Sequence, residues 1–157
     1  MPNIKIFCGE DKLHSLLMLI LKVKGVERPE RITELPCELA KFANECVLTH
    51  RNVTIVGFQH IARYIDEKYP FPPLNLDSPE KRAFLAMTAQ RVLEKGYASS
   101  VHERQQLLDE FKLNLPDKGF LCGDTISFLD LAVLPITPRE DPVWDNYASR
   151  VLAACPQ

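Results

Sequence analysis

Residues 3–7 read NIKIF, apolar at alternate positions and closed by Gly9, which predicts a short strand. Residues 11–24 are apolar almost all round, and Gly25 then stops them, which predicts a helix. A helix of that kind needs cover on more than one side, a sheet on one flank and a second domain on the other. ERITEL predicts a further strand and ELAKFA, residues 38–43, a short helix. CVLTHRNVTIV has two β-rich halves about a turn at residues 50–52, the pattern of a hairpin. A helix follows over residues 58–68 with Ile61, Tyr64 and Ile65 on one face. The order is β-α-β-α-β-β-α, which suits a layer of helices on a mixed sheet.

Beyond Leu74 the pattern is helical throughout. Ser78 before Pro79 is a helix start, since the hydroxyl caps free amides and proline is tolerated in the first turn. Phe84, Leu85, Met87, Ala89, Val92 and Leu93 form a broad apolar stripe after it, and Leu107, Leu108, Phe111 and Leu115 mark a second helix. NLPDKGF reads as a loop. In SFLD, Ser127 and Asp130 have the spacing of a capping box, a structural cap in which each side chain meets the other's backbone amide. The helix they open is nearly all apolar and so central. Asp141 and Pro142 start a last helix with Trp144, Tyr147, Ala148 and Val151 along one side.

Composition narrows the function classes. With 157 residues, 46% of them hydrophobic, the chain can bury one good core or two small ones. A net charge of -2 calls for neither nucleic acid nor an anionic membrane as partner, and no direct sequence-specific nucleic acid binding is expected. The apolar run LLMLIL is far too short to span a bilayer, and the first residues lack the pattern of a secretory signal, so a cytoplasmic protein is expected. The 5 cysteines are scattered, without a CxxC pair, and read as buried reduced thiols. The histidines lack metal-ligand spacing and no nucleophile-elbow motif is present, so neither a metal nor a catalytic triad is expected.

Between the two halves stands YIDEKYPFPPL, in which a helix runs into three prolines. The longer stretch IARYIDEKYPFPPL resembles the domain-joining segment of the stringent starvation protein A (SspA) family, where a helix ending in Tyr-Leu-Asp-Glu meets an aromatic, a Pro-His-Pro-Pro turn and a leucine. RVLEKGY, FLCGDTISFLDLAVLPI, IFCGED and LHSLLMLILKVKGV are similar to further family segments, and the chain after Pro135 is shorter than family members. The resemblance implies a glutathione S-transferase-like fold of class α/β plus all-α. A thioredoxin-like N-terminal domain (residues 1–70) is followed by a proline-rich linker (71–78) and a short all-helical C-terminal domain (79–157).

Transferase chemistry needs a hydroxyl or thiol at the first turn, a cis-proline before the third strand, and an acidic-hydroxyl pair at the start of the third helix. Aligned on YIDE, that pair falls on Gly57 and Phe58, and the proline position falls near Cys46. Cys8 and Ser15 remain as thiol-facing candidates. The expectation is therefore a protein without catalytic residues or cofactor. Family membership implies that the proline turn is a surface patch for RNA polymerase and its primary sigma factor, here with Phe71 in place of the family's histidine. Lys68, Tyr69, Pro70, Phe71, Pro72, Pro73 and Leu74 would form the patch, flanked by Lys81 and Arg82. Rigid, large side chains suit such a contact, because little freedom is lost on docking. The resemblance also implies a homodimer, with Phe84, Leu85 and Ala89 offering a two-fold surface. Two alternatives remain: a glutathione S-transferase-like thiol enzyme using Cys8 or Ser15, and a transferase-like scaffold domain of a translation or synthetase complex.

Overall fold

The computed structural model describes residues 3–27, 29–97 and 100–155. The chain divides into two compact units, Met1–Pro72 and Pro73–Gln157.

The first unit is a thioredoxin-like layer. Strand β1 (Ile4–Cys8) lies between a two-residue parallel neighbour, β2 (Glu30–Arg31), and an antiparallel one, β3 (Cys46–His50); β4 (Val53–Val56) completes the order β2-β1-β3-β4. Arg51, at φ 56°, enters the left-handed region to make the tight connection from β3 to β4. Helix α1 (Asp11–Val23) packs on β1, and α2 (Phe58–Lys68) packs on β3 and β4 and against α1. Ile4, Ile6, Leu16, Leu17, Ile20, Leu21, Leu48, Ile61 and Ile65 are buried and make the core. Each such side chain contributes about 1.5–3 kcal/mol on removal from water. The segment expected as a short helix is a 3₁₀ helix, Cys37–Phe42, with none of its residues buried.

Helix α1 ends in a Schellman motif. Gly25, at φ 73°, lets its own N–H reach Lys22 O (3.0 Å) and that of Val26 reach Leu21 O (2.9 Å). Lys24 is thereby held as the last residue of the helical path.

The second unit is all helical: α3 (Pro79–Arg91), continued by a π turn at Val92–Gly96, α4 (Val101–Leu113), α5 (Phe128–Val133), a 3₁₀ turn at Leu134–Ile136, and α6 (Pro142–Ala154). Ser78 accepts the Lys81 N–H (3.2 Å) at the start of α3, and Asp141 that of Val143 (3.0 Å) at the start of α6. The stripe on α3 is narrower than the sequence suggests. Leu85, Ala89, Val92 and Gly96 face inward, whereas Phe84 and Met87 are exposed. A Cβ on Gly96 would stand 2.6 Å from Ile136 Cδ1, so a larger residue there would push that side-chain end aside. Leu115, expected within the second helix, lies beyond the end of α4. Leu129, Leu131, Ala132, Val133, Trp144, Tyr147, Ala148 and Val151 fill the centre.

Candidate docking surface

The proline turn begins where α2 ends. Tyr69 caps α2 through its N–H to Ile65 O (2.9 Å), and Pro70 then prevents any further turn of helix. The Phe71–Pro72 peptide bond is cis, and Phe71 is 80% exposed.

The turn is held from beneath by Lys24. Its Nζ donates to Pro72 O (2.6 Å) and to Asp66 Oδ1 (2.5 Å), with its side chain wholly out of solvent. One buried cation thus ties the end of α1 to the last turn of α2 and to the turn that presents Phe71. Nothing in the spacing of the chain singles out Lys24. It is one of two lysines in KVKGV, and the one signal was its place just before the helix-stopping Gly25.

A buried pair lies at the other end of the β3–β4 hairpin. His50 Nδ1 is 2.8 Å from the Tyr64 hydroxyl, and the rings meet edge to face. Burial, followed by the charges of Arg51 and Lys68, holds the His50 pKa below its ordinary value. Burial and the neighbouring Tyr64 push the Tyr69 phenol up.

The nine expected contact residues do not form one exposed set. Lys68, Pro70, Phe71 and Pro73 are exposed, and Tyr69 and Pro72 are half-buried. Leu74 is buried, its carbonyl accepting the Phe128 N–H at 2.9 Å, so it anchors the second unit and cannot meet a partner. Lys81 is paired with Asp77 (3.3 Å), and Arg82 donates to Leu76 O (3.2 Å), both within the second unit.

Ser127 and Asp130 sit together in the core of the second unit. Asp130 accepts hydrogen bonds from the Ser127 N–H (2.9 Å), the Ser127 hydroxyl (3.2 Å), the Leu121 N–H (3.0 Å) and the Tyr147 hydroxyl (2.5 Å). Burial and the Asp130 carboxylate hold the Tyr147 phenol far above its usual range. The two outer partners are non-local, and the capping spacing alone did not point to them.

The residues relevant to transferase chemistry are also placed. Gly57 is the N-cap of α2, at φ 103°, where a side chain would be strained, and Phe58 is the first helical residue. Ser15 is exposed on α1, and Cys8 is buried at the end of β1. The neighbouring Cys46 thiol, together with burial, pushes the Cys8 thiol far above its ordinary range, so little of it is thiolate near neutral pH. Not every cysteine is buried as expected: Cys37 is exposed and Cys122 half-buried, and all five are free thiols. Among the described residues, no helix is long and apolar enough to cross a membrane.

No family model matches the chain. A stringent starvation protein A homologue of Haemophilus ducreyi is 28% identical over 100 residues, covering 59% of this chain and 47% of that protein. The matched region is therefore about half the length of that relative. Among solved structures, poplar glutathione transferase F1 superposes with a TM-score of 0.73 at 17% identity, covering 95% of this chain and 92% of that one. The theta class glutathione S-transferase of Xanthomonas axonopodis pv. citri, solved with glutathione bound, gives 0.70 at 16%, covering 96% and 92%. A glutathione S-transferase of the Antarctic clam Laternula elliptica gives 0.72 at 16%, covering 96% and 88%. The chain has the glutathione S-transferase fold and is similar in sequence to a stringent starvation protein A homologue. At these identities the solved structures speak for fold alone.

Proposed function

We propose that the chain is a non-catalytic, cytoplasmic, transcription-associated factor that docks on RNA polymerase and its primary sigma factor through the proline-aromatic turn. The observation that carries this reading is Phe71, 80% exposed on a turn whose backbone is fastened by a buried lysine. A flexible linker has no need of that fastening, whereas a docking surface gains from it, since a pre-ordered contact loses less entropy on binding. The exposed contact set is Lys68, Pro70, Phe71 and Pro73, with the half-buried Tyr69 and Pro72 beside them.

The missing chemistry supports the same reading. Gly57 and Phe58 offer no acidic-hydroxyl pair for the γ-glutamyl end of glutathione, the sequence around Cys46 has no proline between Pro36 and Pro70, and the Cys8 thiol is held protonated. Calorimetric titration with glutathione is expected to give no saturable heat, and micromolar affinity would return the enzyme reading. Phe84 and Met87, on the outer side of α3, are the apolar surface through which a homodimer would form.

The deciding experiment compares retention of RNA polymerase subunits by immobilised wild-type and Phe71→Ala protein. The expected result is a loss of about 1–3 kcal/mol in binding at an unchanged melting temperature. Equal retention with equal melting would retire the docking surface.

A further inference from the structure

Cys8 and Cys46 stand directly opposite each other across the antiparallel β1–β3 pair. Two backbone bonds fix the phase of that ladder. The Gly9 N–H donates across it to Glu45 O (3.3 Å), while Cys46 O turns the other way to accept the Gly57 N–H (2.9 Å). Cys8 and Cys46 therefore occupy a non-hydrogen-bonded site, where facing Cα atoms lie about 4.5 Å apart and the side chains leave on the same face. Disulfides bridge Cα separations of about 4.4–6.8 Å, so no backbone movement is needed to join the two sulfurs. Both thiols are free, with Cys8 at 9% and Cys46 at 2% exposure. Of the other cysteines, Cys37 is exposed on its 3₁₀ helix, and Cys122 and Cys155 belong to the second unit.

We propose that Cys8 and Cys46 form a redox-active dithiol, closed by a small disulfide oxidant into a cross-strand disulfide joining β1 to β3. Cys8, the more open of the two, attacks one sulfur of the oxidant as its thiolate, forming a mixed disulfide and expelling one thiolate. Cys46 then gives up its proton and attacks Cys8 Sγ, expelling the second. The two cysteine protons end on the two departing thiols. The protein loses two electrons, and the oxidant gains them. The neighbouring Cys46 and burial keep Cys8 protonated near neutral pH, so closure is slow there and accelerates as pH rises. The closed ring encloses α1 and β2, which restricts the unfolded chain and raises stability.

Hydroxyethyl disulfide is the probe, applied to the intact protein near neutral pH and at about pH 9, above the usual cysteine range. Remaining thiols are alkylated after denaturation and the peptides mapped by mass spectrometry. The expected product is a peptide pair linked through Cys8 and Cys46, formed faster at the higher pH. The oxidised protein should melt higher by roughly 5–15 °C. Cys46→Ser should trap Cys8 as a mixed disulfide, and Cys8→Ser should leave Cys46 free to alkylate. The wild-type map alone suffices if either variant fails to fold. Recovery of both thiols unlinked at both pH values, once Cys37 has reacted, would overturn the proposal, and so would a linkage to any other cysteine.

Discussion

The ammonium of Lys24 lies 2.5 Å from Asp66 Oδ1, with none of the lysine side chain and 26% of the aspartate side chain open to solvent. The pair is asymmetric. Removing the aspartate strands a charge that water cannot reach, while removing the lysine leaves a carboxylate that is still partly hydrated. Asp66→Ala should therefore cost about 3–5 kcal/mol and Lys24→Met about 1–3 kcal/mol. Urea denaturation of both variants checks the order, and a Lys24 variant less stable than the Asp66 variant contradicts it. Lys24→Met also frees the Pro72 carbonyl, so it should weaken polymerase retention with Phe71 still in place.

Asp130 offers a second test, because its buried carboxylate accepts four hydrogen bonds. Tyr147→Phe removes one charge-assisted bond and should cost about 1.5–3 kcal/mol. Asp130→Ala orphans buried donors together with the start of α5 and should cost more than 3 kcal/mol, roughly the sum of a lost cap and unsatisfied amides. Thermal melts of the two variants separate these costs, and equal melting temperatures would mean that Tyr147 alone carries the network.

Stability should also depend on His50. Its folded pKa lies below the unfolded value near 6.5, for burial first and then for Arg51 and Lys68. The unfolded chain therefore takes up a proton before the folded one does. Stability tied to His50 is complete above about pH 6.5 and is lost as pH falls from there through the folded pKa. His50→Gln should flatten the decline below about pH 6.5 relative to wild type, as read from midpoints of denaturant unfolding. His14, lowered by burial and Arg31, adds a slope of the same sign that the variant retains. An unchanged slope in His50→Gln would show that the ring titrates normally.

The outer face of α3 sets the expectation for assembly. Phe84 is 54% and Met87 68% exposed, one turn apart on the same helix. A homodimer that covers them should give a dimer mass by light scattering, and Phe84→Glu combined with Met87→Glu should give the monomer with its melting preserved. A wild-type monomer at working concentration would contradict this.

What the amino-acid sequence determined by itself was local. Gly25 closing α1, Ser78 and Pro79 opening α3, the turn after His50 and the SFLD cap each act within a few residues, so their chemistry is readable without knowing the fold. The resemblance in IARYIDEKYPFPPL likewise rests on contiguous residues. Tertiary structure alone decided the rest. Lys24 and Asp66 are 42 residues apart, and no periodicity links a helix end to a distant carboxylate. The pairing of Cys8 with Cys46 depends on strand register, which a one-residue slip would destroy by turning one side chain to the opposite face. On α3, hydrophobic pattern could not tell Leu85 and Ala89, which are buried, from Phe84 and Met87, which are not, because apolar residues occupy both sides of that helix. Leu74 reads like its proline neighbours but is buried, with its carbonyl bonded to Phe128, because what a loop residue touches depends on what folds back onto it.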